Sequence, residues 1–178
     1  MSLSFNLQPD LGNDLVHLLP LGEHHFDALY QVASDPQVWL QHQHKNRYES
    51  DQFKKFFQDA LESGRALVVM SKSDDQIIGS SRYEPCPERS LSVEIGWSFL
   101  GRKYWGGQYN RAVKTLMIDH AFRHYDEIIF QINRNNLRSQ KATMKLGGVL
   151  KSSFLPGDVR PKTESSLVFS LRKDHWNR

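Results

Sequence analysis

The stretch Val93-Glu-Ile-Gly-Trp-Ser-Phe-Leu-Gly-Arg-Lys-Tyr-Trp-Gly-Gly-Gln-Tyr-Asn110 decides the fold. Apolar and polar side chains alternate over 91–99, which predicts a β-strand with one apolar face. A loop rich in glycine and basic residues follows at 101–108, and apolar residues then recur at helical spacing from about 109 to 125. The next apolar run, Glu127–Ile132, completes a β-α-β unit, which implies a right-handed crossover and two parallel strands.

Outward from this unit, helices and strands alternate. Before it, we predict strands at 15–19, 66–72 and 76–83, and helices around 26–33 and 51–62. After it, we predict a helix at Leu137–Leu146, ended by Gly147-Gly148, and strands at Val149–Leu155 and Ser165–Arg172. Pro36 follows Asp35 at a favourable helix start, Ser50 or Asp51 can cap the 51–62 helix, and Gly64 can end it. This order predicts an α/β (α+β) fold with a mixed sheet, mostly antiparallel, in one domain spanning 1–178.

Length and composition exclude several protein classes. The chain has 178 residues, 39% of them hydrophobic, and a formal net charge of +3. Its single cysteine, Cys86, excludes a disulfide framework and a cysteine-based zinc site. No apolar run has the length of a membrane span, and no signal peptide is recognised at the N-terminus. We therefore expect a cytoplasmic protein with no membrane partner.

The small net charge conceals an uneven distribution. Residues 101–151 hold ten Lys and Arg against three acidic residues, a local charge of +7, whereas the rest of the chain carries −4. A local excess of this kind suits a small polyanion better than a nucleic acid.

The loop at 101–108 is the strongest chemical signal. A glycine-containing loop that enters a helix aligns backbone N–H groups and the helix dipole, which suits a pyrophosphate. It is neither a Walker A loop nor a Gly-x-Gly-x-x-Gly loop. From the pattern alone, a tight turn that the glycines merely permit is an equal alternative.

The segment Gly101–Asn110 resembles the acetyl-CoA-binding loop of the GNAT N-acetyltransferase superfamily, and in particular the branch of the ribosomal-protein alanine N-acetyltransferases. Lys103 and Gly106 match the loop pattern, while Gln108 stands where the pattern has its second glycine, with Gly107 one place earlier. Further similar segments follow in the family's order: Ile77–Tyr83, Val93–Trp97, Asn136-Leu-Arg-Ser139 and Ser166–Trp176.

The resemblance implies a GNAT-like sheet with helices on both faces, in which the strands at 91–99 and 127–132 splay apart to admit acetyl-CoA as co-substrate. No metal is implied. The cofactor-binding residues that the resemblance implies are Trp97, Ser98, Phe99, Arg102, Lys103, Trp105, Gly106, Gly107, Gln108, Tyr109, Asn110, Asn136 and Ser139.

The resemblance also implies two catalytic residues. Glu94 is the candidate general base, acting directly or through water, with a structural strand carboxylate as the alternative. Ser139 is the candidate acid toward the leaving thiolate, and the alternative is that it positions the cofactor or bonds backbone. Asn136 is expected to position pantetheine or to cap the helix at Leu137.

The expected activity is acetyl transfer to a primary amine, either a protein N-terminus or a small-molecule amine. Two other functions stay open: a non-catalytic acyl-CoA-binding module of the same fold, and a basic RNA- or ribosome-binding protein, for which no recognition motif is visible. The acceptor side is expected on the loops 40–50, 84–90 and 155–164, which carry no readable motif. A homodimer is compatible with the family, although no interface is evident from the sequence.

Overall fold

The computed structural model describes residues 5–87, 89 and 91–176, and it shows an eight-stranded sheet with helices on both faces. The strands are β1 (Leu11–Gly12), β2 (Val16–Pro20), β3 (Ala66–Ser71), β4 (Ile77–Pro85), β5 (Ser92–Leu100), β6 (Glu127–Asn133), β7 (Val149–Leu150) and β8 (Ser166–Arg172). The helices are α1 (Phe26–Ala33), α2 (Pro36–Trp39), α3 (Ser50–Ser63), α4 (Tyr109–Ala121) and α5 (Leu137–Lys145). Residues 1–4, where no signal peptide was expected, and residues 88 and 90 of the predicted acceptor loop lie outside the described residues.

The sheet has the predicted mixed topology. Its strand order is β1-β2-β3-β4-β5-β6-β8-β7, and among the described residues every neighbouring pair is antiparallel except β5 and β6. The β-α-β unit read from 91–132 is therefore confirmed. It brings the carboxyl ends of β5 and β6 to one edge of the sheet, where the loop before α4 and the start of α5 also lie.

Two apolar cores hold the layers together. On one face of the sheet, Val113 and Met117 of α4 pack in a core with Val93, Ile95 and Ile128 of the two parallel strands. On the opposite face, α1, α2 and α3 form a second core that is rich in aromatic rings, among them Trp39, Phe53 and Phe99. Burial of these side chains from water is the main force that fixes the helices against the sheet.

Most helix ends follow the predicted signals. The Asp35 side chain accepts a hydrogen bond from the backbone N–H of Gln37 (3.0 Å), with Pro36 at the first helical position. Gly64 ends α3 with a φ of 61°, in the left-handed region that favours glycine. The expected cap by Ser50 or Asp51 is wrong, because α3 already begins at Ser50 and its N-cap is Glu49.

Two predicted elements are shorter in the structure. The helix that begins at Tyr109 ends at Ala121 instead of Tyr125. The strand predicted over 149–155 is limited to Val149–Leu150, although the Lys151 N–H still donates to the Val168 carbonyl (2.9 Å). Pro156 and Gly157, the latter with a φ of 84°, then turn the chain away from the sheet, since neither supports a continued ladder.

Candidate active site

The two parallel strands pair over three residues and then separate. The ladder joins Ser92, Val93 and Glu94 of β5 to Glu127, Ile128 and Ile129 of β6. Beyond it, β5 continues beside β4 as far as Leu100, and β6 continues beside β8 as far as Asn133. Within the described residues the facing edges of β5 and β6 past this point share no ladder. The two facing edges therefore have no strand partner across this gap, an arrangement that suits an extended ligand.

A bulge marks the separation on the β4 side. Arg82 pairs with Gly96 and Ser80 pairs with Phe99, so β5 has one residue more than β4 over this interval. Trp97 lies in the bulge with a φ of 52°, an unusual conformation for a bulky side chain. Such strain is typical of sites that a fold maintains for function.

The bulge corrects one prediction. The alternation over 91–99 predicted a single apolar face, but the extra residue moves the side chains after Ile95 to the opposite face. Val93 and Ile95 pack in the core with α4, whereas Phe99 packs in the core with α1 and α3. A register change of one residue exchanges the faces of a strand.

Under the bulge, on the α4 side, lies a buried lysine. The Lys114 ammonium nitrogen is 2.5 Å from Ser98 Oγ and 3.3 Å from Ser81 Oγ, and the two hydroxyls are 2.7 Å apart. Lys114 is 8% exposed, and burial lowers its pKa from 10.5 to about 7. In the sequence Lys114 is one of the positive charges of 101–151, but in the structure its side chain points toward the sheet.

Glu94 lies on the opposite face of β5, at the end of the parallel ladder. Its carboxylate is 2.7 Å from the Lys162 ammonium, and its side chain is 6% exposed. Burial raises the pKa of Glu94, while Lys162 and Arg82 act in the opposite direction. The Lys162 ammonium also lies 4.5 Å from the centre of the Trp97 ring, so the predicted acceptor loop 155–164 reaches the bulge.

The glycine loop before α4 is open at Gly106. Gly106 has a φ of 69°, and a Cβ built there would have no atom within 4 Å, so the space beside it is open. The first-turn N–H groups of α4 lack intrahelical partners, as at every helix start. Arg102 is paired with Asp35, and the Lys103 ammonium lies 3.3 Å from Asp74 Oδ2. Arg102 and Lys103, the two side chains predicted to bind phosphate, therefore each form an ion pair with a carboxylate of this chain.

At the start of α5 the predicted cap is present. Asn136 Oδ1 accepts a hydrogen bond from the Ser139 N–H (3.1 Å), and Asn136 is 6% exposed. Sequence reasoning missed Arg138, whose guanidinium lies 3.5 Å from the Trp105 ring centre and so joins α5 to the glycine loop. Arg138 lies inside the Asn136–Ser139 segment that resembles the family, and this position was the sequence signal that could have identified it.

The structure brings the predicted cofactor residues to one edge of the sheet. Trp97, Ser98 and Phe99 lie on the part of β5 that no longer pairs with β6, the loop residues 102–110 follow it, and Asn136 and Ser139 follow β6. Phe99 is 4% exposed with its ring in the core, which leaves its backbone as the part that can bind a ligand.

The chain matches a known protein family over most of its length. The family model described as "Acetyltransferase (GNAT) domain" matches residues 16–149. The chain belongs to the GNAT acetyltransferase family. The enzyme class read from the sequence, an N-acetyltransferase, is confirmed. No curated protein is significantly similar to the chain in sequence.

Solved GNAT structures share the fold. A probable acetyltransferase from Chromobacterium violaceum superposes with a TM-score of 0.79 at 20% identity, covering 94% of this chain and 87% of that one. Spermidine N-acetyltransferase from Vibrio cholerae, in complex with CoA and spermine, gives 0.68 at 13%, covering 92% and 98%. Mycobacterium smegmatis RimJ, in complex with CoA-disulfide, gives 0.66 at 17%, covering 93% and 88%.

Among the described residues, no helix combines the length and the apolar composition of a membrane span. Nor do they contain a group of three or more His, Cys, Asp or Glu side chains placed to hold a metal ion.

Proposed function

We propose that this GNAT enzyme transfers the acetyl group of acetyl-CoA to a primary amine by direct attack of the amine on the thioester. The observation that carries the proposal is the separation of β5 and β6 beyond Glu94, next to a glycine loop that enters α4. The open β5 edge suits the pantetheine amides, and the N–H groups at the start of α4 suit the pyrophosphate.

The reaction needs proton transfers that residues of this site can supply. The amine nitrogen forms a bond to the thioester carbonyl carbon, and the carbon–sulfur bond breaks. The amine loses one proton and the leaving thiolate gains one. Glu94 is the proposed base, directly or through water, because its buried carboxylate has a raised pKa and lies beside the bulge. Ser139 is the proposed donor to the thiolate, or it positions the cofactor.

Titration calorimetry and turnover test this function in sequence. We expect acetyl-CoA to bind with a dissociation constant well below millimolar, and we expect CoA release in the presence of primary amines. Binding without turnover over a broad amine panel would favour the acyl-CoA-binding module. Failure to bind acetyl-CoA would overturn both readings.

Gly106 offers a matched test of the loop. Both Gly106 and Gly64 have a positive φ and open space where a Cβ would stand. Alanine at either position has a comparable backbone cost of about 1 kcal/mol. We expect Gly106→Ala to raise the KM for acetyl-CoA severalfold and Gly64→Ala to leave it unchanged. Equal KM values in the two variants would show that the phosphates do not approach Gly106.

A further inference from the structure

A cavity of about 220 Å³ lies beside the bulge, between α3, the connector before it, and strands β4 and β5. The residues that matter for its chemistry are Asn46, Arg47, Lys55, Asp59, Arg82 and Trp97. The cavity opens on the Glu94 side of the sheet, since Trp97 lines it and also contacts the Lys162 ammonium that pairs with Glu94. It is therefore adjacent to the proposed base.

The side chains that line this cavity carry an excess of positive charge. Three of its lining side chains are cations (Arg47, Lys55 and Arg82), against one carboxylate, Asp59. His44 also lines it, and burial and Arg47 lower the pKa of that imidazole, which keeps it neutral near pH 7. A concave surface with this excess attracts anions and repels polycations.

The Arg82 guanidinium lies over the Trp97 ring in the wall of this cavity. Its guanidinium lies 3.7 Å from the Trp97 ring centre, and its Nη2 is 3.6 Å from Glu84 Oε2. Its side chain is 12% exposed, and its buried Nε has no hydrogen-bond partner among the described residues. That nitrogen is closed off from solvent, so the part of Arg82 that a ligand in the cavity can reach is the exposed edge of its guanidinium.

Arg47 faces the same cavity and repels Arg82. Its guanidinium lies 4.3 Å from the Phe56 ring centre and 5.6 Å from that of Trp39, which leaves its edge N–H groups for a ligand. Burial lowers the pKa of Arg47 to about 10, and Arg82 adds to the lowering. Two guanidinium groups that repel each other across a cavity are both stabilised when an anion binds between them.

We propose that this cavity binds a carboxylate of the acceptor, so that the amine substrate carries a carboxylate near the nitrogen to be acetylated. This inference rests on the proposed function and names its substrate class. The carboxylate would contact Arg47 and Arg82 in the cavity. The amine would lie toward Glu94, beyond Trp97, whose ring contacts both Arg82 and the Lys162 ammonium. Polyamines are excluded as good acceptors, in contrast to the Vibrio cholerae enzyme that has the same fold.

Matched acceptor pairs test the proposal. Turnover is measured for L-alanine, L-methionine and L-phenylalanine, for their carboxamides, and for spermidine. The amides have the less basic amines and so a larger neutral fraction, which favours them chemically. We expect the free amino acids to exceed their amides at least tenfold in kcat/KM. Use of the amides or of spermidine equal to or better than that of every carboxylate acceptor, acidic peptides included, would overturn the proposal.

The carboxylate can belong to a free amino acid or to an acidic side chain of a peptide. Amidated peptides that begin Ala-Asp and Ala-Lys distinguish these sources. Selective acetylation of Ala-Asp would assign the site to a peptide side chain, and selective use of free amino acids would assign it to the α-carboxylate. A preference for Ala-Lys over both would contradict the positive cavity.

Variants of Arg47 and Asp59 should change the KM for the carboxylate acceptor in opposite directions. Arg47→Met keeps the apolar contact with Phe56 and removes the charge, so the KM for the carboxylate acceptor rises about tenfold while the KM for acetyl-CoA is unchanged. Asp59→Asn removes the one carboxylate of the cavity and lowers that KM. Lys54→Met, an exposed position on α3 outside the cavity, is the control and changes neither. An Arg47→Met effect no larger than the control effect would overturn the proposal.

Failure of the proposed function is separable from failure of this inference. If no amine is acetylated, calorimetry with the CoA-loaded protein still compares each amino acid with its amide. Preferential binding of the free amino acid, lost in Arg47→Met, supports the carboxylate site. The absence of such a preference for every amino acid and acidic peptide overturns it.

Discussion

The two faces of β5 at its bulge hold cations in opposite ways. Toward α4, Lys114 is surrounded by the hydroxyls of Ser81 and Ser98, and its pKa falls to about 7. Toward α3, Arg47 and Arg82 line an open cavity with Asp59 as its one carboxylate. A buried lysine lowers its cost by losing a proton, whereas a guanidinium stays charged under all ordinary conditions. The face with arginines therefore keeps its positive charge and suits an anion, whereas the lysine on the other face can become neutral.

The largest expected effect concerns Glu94, the proposed general base next to the cavity. Glu94→Gln removes the proton acceptor, and we expect kcat to fall about 100-fold near pH 7. The deficit shrinks toward pH 9, where solvent alone leaves more of the amine neutral. A pH–rate profile of both proteins measures this. The KM for acetyl-CoA serves as the control, and an unchanged kcat across pH would remove Glu94 as the base.

The next effect tests whether burial lowers the pKa of Lys114 on the α4 side of β5. The folded-state pKa of Lys114 is about 7 against 10.5 for an ordinary lysine, so the unfolded chain binds more protons between these values. Wild-type stability should then rise with pH relative to Lys114→Met, by about 2 kcal/mol between pH 7 and 9. Urea unfolding at both pH values measures the difference.

Tyr83 provides the control for that slope. Its hydroxyl donates to the Met117 carbonyl of α4 (2.8 Å), and burial raises its pKa well above 10.0, so it does not titrate in the folded protein over this interval. Tyr83→Phe should cost about 1 kcal/mol at either pH. Parallel pH dependence of wild type and Lys114→Met would mean that Lys114 is not neutralised by burial.

The smallest effect concerns the ion pair beside the cavity. Lys162 opposes the rise in the pKa of Glu94 that burial causes. Lys162→Met removes that cation, so Glu94 is protonated up to a higher pH. We expect the acid limb of the kcat profile to move to higher pH. An unmoved limb would show that the group titrating in the profile is not Glu94.

Local signals predicted most of the fold. Asp35-Pro36, Gly64 and Asn136 mark helix ends because capping depends on neighbours in the chain. The parallel pair followed from the β-α-β order. The bulge at Trp97 was not predictable, because one extra residue in β5 is defined only by its pairing with β4.

The residues of the candidate site could be named only in part. The loop and the helix starts that the resemblance implies for the cofactor follow β5 and β6 directly in sequence, so their placement at one sheet edge was predictable, and their role in binding stays a prediction. The cavity was missed, since Arg47 and Arg82 come together only when the connector folds against β4. The burial of Lys114 was missed for a similar reason: an exposed lysine and a buried one look alike in a helical pattern, and only packing against Ser81 and Ser98 separates them.

The internal pairs of the glycine loop bear on how acetyl-CoA affinity responds to salt. Arg102 and Lys103 are held by Asp35 and Asp74, which act as built-in counterions for the loop. On the proposed function, phosphate groups displace these carboxylates, so one ionic contact replaces another and few dissolved ions are released. Acetyl-CoA affinity should therefore depend less steeply on ionic strength than in a loop with unpaired cations, and neutralising Asp35 and Asp74 should steepen it.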